Sequence, residues 1–303
     1  MDHENLTHEQ AVALDARIVQ GDIDWAAPDP GAVPFRFDAP SGSLAAWSQG
    51  DPANPRVVLV AGATGSKEDF LLMAPPLARA GYFVQSYDMA GQYESADAGP
   101  SPSSGRWDFE LYVGDMLAFL RDAGATPAHL LGYSFAGILA QQIVADHPEL
   151  VASLTLLTSP PMTGQVFRGV RFLGLASRVA SSKVCAALML WGIRRNVNGV
   201  NPARGKFVMA RLRATKRASV DDIIDAMRHT PYLIEAIGRG GVPVLVATGD
   251  GDLWPVRTYA AYADAIGARL AVYRTGHSPC ETTPHQLVAD MLELFARSGD
   301  AAS

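Results

Sequence analysis

Three short stretches of the chain hold residues able to do nucleophilic chemistry. Ser134 lies in "GYSFAG", Asp252 in "GDGDLWP" and His277 in "TGHSP". A serine hydroxyl is a weak nucleophile at neutral pH until a neighbouring imidazole takes its proton. That imidazole needs a carboxylate on its other nitrogen to fix the tautomer and to stabilise the cation. Serine, acid and histidine, in this order, supply those three parts. Taken singly, each has a dull reading: a serine between small residues is a turn, and a loop histidine is solvated. Asp250 competes with Asp252 as the acid. His129 sits in an apolar run and reads as a core residue, while His229 and His285 lack a partner pattern and read as surface. Cys280, three residues after His277, reads as packing rather than as a second nucleophile.

The elements around these stretches give the coincidence its weight. "VVLVAG" from Val57 is a continuous β-branched run of the kind buried on both faces of a sheet. Then come a helix ("EDFLLMAPPLARAG"), a strand ("YFVQSYDM"), a helix ("WDFELYVGDMLAFLRDAG") and the strand "AHLLGY" that runs into Ser134. Ile138, Leu139, Gln142, Ile143 and Asp146 then follow at helical spacing, so the serine occupies a strand-to-helix turn. "ASLTLLTS" is the next strand. Such alternation implies a parallel sheet with right-handed crossovers. It stops at 161 and resumes at about 241 with "VPVLVATGD", a helix, "ARLAVYRTG" and a last helix. Between them lie helical patterns only, so residues 161–240 read as a helical cap or lid inserted into a core of 1–160 and 241–303. Upstream, 6–20 reads as an amphipathic helix, and "FRFDA" and "LAAWSQ" as a short hairpin.

Composition narrows the class. The chain has 303 residues, 48% hydrophobic and 18% charged, enough for one large α/β core. A formal charge of −6 gives no reason to expect nucleic acid or an anionic membrane as partner. The polar, acidic start has no secretory pattern, and the apolar run "VCAALMLWGI" is too short to span a bilayer, so a cytoplasmic protein is expected. Two cysteines, Cys185 and Cys280, read as buried thiols rather than a bridge or a metal cluster.

The order serine, acid, histidine, with the serine on such a turn, resembles the α/β-hydrolase superfamily over roughly 55–160 and 241–297. "GYSFAG" matches its G-x-S-x-G elbow except that Ala136 replaces the second glycine, with Gly137 just after. "VAGATGS" occupies the place of its oxyanion loop, with Ala61 where histidine is common, and "DMAGQYES" resembles its D-x-R-G-x-G-x-S turn. The family spacing, G-x-x-D followed by Pro255, favours Asp252 over Asp250. The resemblance implies an α/β-hydrolase fold: a mostly parallel sheet flanked by helices, with an inserted cap.

It also implies a serine hydrolase acting on a carboxylic ester or related acyl bond. His277 deprotonates Ser134, Asp252 stays ionised, and the backbone N–H groups of Ala63 and Phe135 receive the oxyanion. No metal or organic cofactor is implied, and the expected partner is a small-molecule substrate. Val166, Phe167, Phe172, Leu173, Leu188, Met189, Leu190 and Trp191 make the cap largely apolar; most of them read as packing the lid on the core, and a hydrophobic acyl or alkyl group is the substrate they suit. The basic stretches "GIRRNV" and "RLRATKR" read either as a solvated helix face or as an attractor for an anionic substrate. The same three residues also serve thioester or carbon–carbon bond hydrolysis, perhydrolysis and lyase chemistry. A binding module of the same fold is the non-catalytic alternative.

Overall fold

The computed structural model describes residues 7–27, 29–122, 127–170, 182–195 and 201–300. Among them, eight strands form one sheet in the order β1-β2-β4-β3-β5-β6-β7-β8. β1 (Val33–Ala39) and β2 (Gly42–Gln49) are an antiparallel hairpin, and β2 joins β4 (Phe83–Tyr87) antiparallel as well. From there the sheet is parallel, through β3 (Arg56–Val60), β5 (Ala128–Tyr133), β6 (Val151–Leu157), β7 (Val244–Gly249) and β8 (Arg269–Tyr273).

Period-two packing explains the unbroken apolar runs. In β3, Val58 and Val60 join the larger core on one face, while Val57 and Leu59 join the core on the other. β5 does the same with Leu130 and Leu131. Every residue of both strands is buried, so a polar alternation would have placed unpaired groups against a helix layer.

The helices are α1 (His8–Asp15), α2 (Ala74–Arg79), α3 (Phe109–Asp122) and α4 (Phe135–Asp146) before the sixth strand ends. Between β6 and β7 come α5 (Ser182–Arg194), α6 (Pro202–Ala214), α7 (Arg217–Met227) and α8 (Ile234–Arg239). After β7 follow α9 (Val256–Ile266), the short α10 (Pro279–Thr282) and α11 (Pro284–Asp300).

Two helices depart from the sequence expectation. The helix expected over "EDFLLMAPPLARAG" divides into a 3-10 turn, Lys67–Phe70, and the six-residue α2. Pro75 and Pro76 cause the break, since proline is accommodated only in a first helical turn. α1 ends at Asp15, well short of residue 20. The Asp15 carboxylate turns instead to the start of α11, accepting from the His285 and Gln286 N–H groups at 2.9 and 3.1 Å. His285 Nδ1 lies 2.8 Å from the same carboxylate, so it is a tether between the first and last helices and not the unpartnered surface group expected. His129 is a core residue, bonded to Ser153 Oγ at 2.8 Å and stacked on Phe295. His229 is exposed.

Both thiols are free; Cys280 is fully buried and Cys185 half-buried. Phe172 and Leu173 lie outside the described residues. No helix among the described residues is long and apolar enough to cross a membrane.

Candidate active site

The parallel strands deliver three loops to one edge of the sheet. Ser134 sits between β5 and α4 with φ 53° and ψ −117°, a conformation that side chains rarely adopt. Neighbouring glycines permit it. A Cβ on Gly132 would stand 2.6 Å from the Ala136 carbonyl and the Gly137 Cα, and one on Gly137 would stand 2.5 Å from Ser159 Cβ. The crowding thus falls on Gly132 and Gly137. Ala136 lies fully buried, and its methyl is accommodated where the motif has glycine. The turn is anchored by the Ser134 N–H, which donates to the Leu157 carbonyl at 2.8 Å.

His277 follows β8, and its Nε2 lies 3.3 Å from Ser134 Oγ. Its Nδ1 lies 2.5 Å from Asp252 Oδ1. Asp252, in the loop after β7, is 1% exposed, so its carboxyl group is shielded from water. Its other oxygen, Oδ2, accepts from the Tyr259 hydroxyl of α9. Burial, then the Asp252 charge, pushes the Tyr259 hydroxyl well above its ordinary pKa, and it remains a donor. The competing Asp250 is exposed to solvent. The serine, acid and histidine singled out in the sequence are therefore in hydrogen-bonding reach of one another, although 25 residues separate Asp252 from His277 and 143 separate His277 from Ser134.

The loop after β3 packs directly on the serine: a Cβ on Gly62 would stand 2.8 Å from Ser134 Cβ and 3.5 Å from its Oγ. Thr64 in this loop has φ 61°, and the Gly65 N–H closes it onto the Gly62 carbonyl at 2.9 Å. The N–H groups of Ala63 and Phe135 take no acceptor among the described residues. That is ordinary for Phe135 as the first residue of a helix, which stands next to Ser134, while Ala63 follows the Gly62 that packs on that serine.

Further residues hold the site and were not singled out in the sequence. Thr158, with φ 40°, donates its hydroxyl to the His277 carbonyl at 3.0 Å. Tyr133 and Ser278 share a hydrogen bond of 2.9 Å beside the imidazole, and the Tyr133 ring lies 5.5 Å from it. Trp254, two residues after Asp252, donates Nε1 to the Val166 carbonyl at 3.0 Å. Tyr259, Thr158 and Trp254 act across elements distant in the chain, so no local motif marks them.

Residues 55–181 match the model of a family described as alpha/beta hydrolase fold. Bifunctional epoxide hydrolase 2 of Rattus norvegicus is 30% identical over 110 residues, 36% of this chain and 19% of that protein. Rhodomycin D methylesterase DauP of Streptomyces sp. (strain C5) is 32% identical over 121 residues, 37% of this chain and 38% of that protein. The chain thus spans only about a fifth to two fifths of the length of these curated relatives. A solved structure from work on carboxylesterases of Nitrososphaera gargenis superposes with a TM-score of 0.71 at 16% identity, covering 88% of this chain and 100% of that one. By its sheet order, its strand-to-helix serine turn and this matched segment, the chain has the α/β-hydrolase fold.

Proposed function

We propose that the protein is a serine hydrolase that cleaves a carboxylic ester through an acyl-enzyme. The observation that carries this reading is the contact series Ser134 Oγ–His277 Nε2 at 3.3 Å and His277 Nδ1–Asp252 Oδ1 at 2.5 Å, with Asp252 buried. His277 takes the Ser134 proton as Oγ attacks the carbonyl carbon. The resulting oxyanion is received by the N–H groups of Ala63 and Phe135, each such donor being worth about 3 kcal/mol of barrier. The imidazolium, held by Asp252, then protonates the leaving alcohol. Water activated by the same imidazole attacks the acyl-serine and releases the acid.

The nucleophile's identity narrows the bond. Serine attack on an alkyl or epoxide carbon would leave an ether, which water does not cleave under these conditions. Attack on an acyl carbon leaves an ester, which it does. This supports acyl chemistry over the epoxide opening named for one relative, and it agrees with the methylesterase name of another.

The helices between β6 and β7 are read as the cap over 161–240. Val166 and Leu190 are buried, whereas Leu188 and Trp191 are about half exposed. The part of the cap lining available to a substrate is therefore smaller than the apolar composition suggests, and a compact apolar acyl or alkyl group is expected.

The reading is tested by p-nitrophenyl ester hydrolysis. Ser134→Ala should lower kcat by about 10⁶-fold, to the oxyanion-hole background, with the circular dichroism spectrum unchanged. A folded variant keeping most of the rate would refute the assignment.

A further inference from the structure

The densest group of buried charge away from Ser134 lies where α6 meets two of the site's loops. Arg204 and Arg211 face inward from α6 and are 1% and 5% exposed. Arg204 donates to Glu281 through Nε at 2.9 Å and Nη2 at 2.6 Å, and Nη2 also donates to Asp69. Arg211 Nη1 donates to Asp69 Oδ1 at 2.5 Å and to Ser66 Oγ at 3.1 Å. Two cations thus meet two carboxylates, and Asp69 is held below the ordinary carboxylate range by the arginines despite its burial. A balanced group of this kind does not attract an anionic substrate; within "RLRATKR" only Arg211 departs from the solvated face expected, since Arg213, Lys216 and Arg217 are exposed.

Its location gives it a role. Ser66 and Asp69 continue the turn that carries Gly62 and Ala63, and Gly65 is so tightly enclosed that a Cβ would stand 2.8 Å from both Ala61 Cβ and Asp69 Oδ2. Glu281 lies in α10, directly after the loop that carries His277. A second tether reaches the same turn from α7. The Thr64 N–H donates to Gln92 Oε1 at 3.1 Å, and Gln92 Nε2 donates to Ser219 Oγ at 2.7 Å. Ser219 is fully buried and donates in turn to the Lys216 carbonyl at 2.7 Å.

We propose that α6 and α7 form a fixed brace that sets the Ala63 turn against His277, with Arg204, Arg211, Gln92 and Ser219 as positioning residues of the reaction. This rests on the esterase reading above. Lifting α6 would strand Asp69 and Glu281 without their cations in a poorly solvated site, so α6 stays seated during turnover and substrate enters without its displacement. The brace does not touch substrate. It fixes where the oxyanion donor stands relative to the imidazole, and a misplacement of about 1 Å in such a site costs on the order of 10²-fold in rate.

The test compares Arg211→Met, Arg211→Lys and Ser219→Ala with the full wild-type chain on a p-nitrophenyl ester, together with inhibition by phenylboronic acid. The boronic acid adds to the serine oxygen, its proton passing to the imidazole, and the tetrahedral anion needs the same donors as the oxyanion. Arg211→Met should lower kcat by about 10–100-fold and Ser219→Ala by about tenfold, with KM within about twofold and boronate affinity falling in parallel. Arg211→Lys restores a cation to Asp69 and should recover most of kcat. Should Arg211→Met fail to fold, Ser219→Ala decides by itself. Folded variants with kcat within about twofold of wild type, or with kcat lost and boronate affinity kept, would overturn the brace. A wild-type chain that neither cleaves the ester nor reacts at Ser134 would instead overturn the esterase reading.

Discussion

Asp252 has both oxygens occupied, one by the imidazole and one by the Tyr259 hydroxyl, in a place that is 1% exposed. Two donors fix the orientation of this carboxylate, and in the proposed mechanism that orientation holds the imidazole in the tautomer that accepts the serine proton. Asp252→Asn keeps the shape and loses the charge, and kcat should fall by about 10⁴-fold in ester-hydrolysis kinetics. Tyr259→Phe removes one of two donors and should cost about tenfold in kcat with KM unchanged. The Tyr259 hydroxyl is pushed well above its ordinary pKa, so it does not ionise in the working range. The ratio of wild-type to Tyr259→Phe rates should therefore stay constant from about pH 7 to 9. A ratio that changes across that interval would contradict the donor role. The meeting of Ser134, Asp252 and His277 was legible in the sequence because each follows an apolar run that could end at the same sheet edge. Tyr259 was not, since a tyrosine on a helix acquires a meaning only when that helix packs against the acid's loop.

At the scale of the element, the turn from β5 to α4 shows why one departure from the family motif is harmless. Gly132 approaches the Ala136 carbonyl and the Gly137 Cα too closely for any side chain, whereas the Ala136 methyl is already housed. Ala136→Gly should leave ester hydrolysis within about twofold and lower stability by about 1 kcal/mol through helix propensity. Gly132→Ala should lower both activity and melting temperature, since backbone must move to admit the methyl. Thermal unfolding and kinetics on the pair check this, and an active, stable Gly132→Ala would contradict it. The strands were read to within about three residues at their ends, most closely in β3 and β5, because a strand buried on both faces leaves a continuous apolar signature. Helix ends were read less well. α1 ends early because Asp15 is recruited by α11, and the segment before α2 is a 3-10 turn because of two prolines and a capping interaction between Ser66 and Asp69. The first cause is tertiary and leaves no local trace. The second was visible in the prolines.

On the scale of the whole molecule, stability and function draw on buried polar groups at opposite ends of the sheet. His129 is pulled down to about 4 by burial, from 6.5 in an unfolded chain. Between those values the unfolded chain binds the proton that the native state refuses, so this residue lowers stability as the pH falls from about 6.5 to 4. Over that window the effect is about 3 kcal/mol. His129→Leu loses the Ser153 hydrogen bond but also this penalty. Its deficit relative to wild type, measured by urea unfolding, should narrow by about 3 kcal/mol from pH 7 to pH 4, and a constant deficit would contradict the buried neutral imidazole. At the other end, Ser134 and its partners come from loops after β5, β7 and β8, and the segment between β6 and β7 is tied to the loop after β7 by Trp254, to the one after β8 by Arg204 and to the turn after β3 by Arg211 and Ser219. The most direct measurement is the intact mass of the native chain after reaction with a fluorophosphonate, followed by peptide mapping. One activated hydroxyl predicts a single phosphonyl adduct, located on Ser134 and absent from both Ser134→Ala and the urea-unfolded chain. An adduct on another residue, or one that persists in Ser134→Ala, would contradict it.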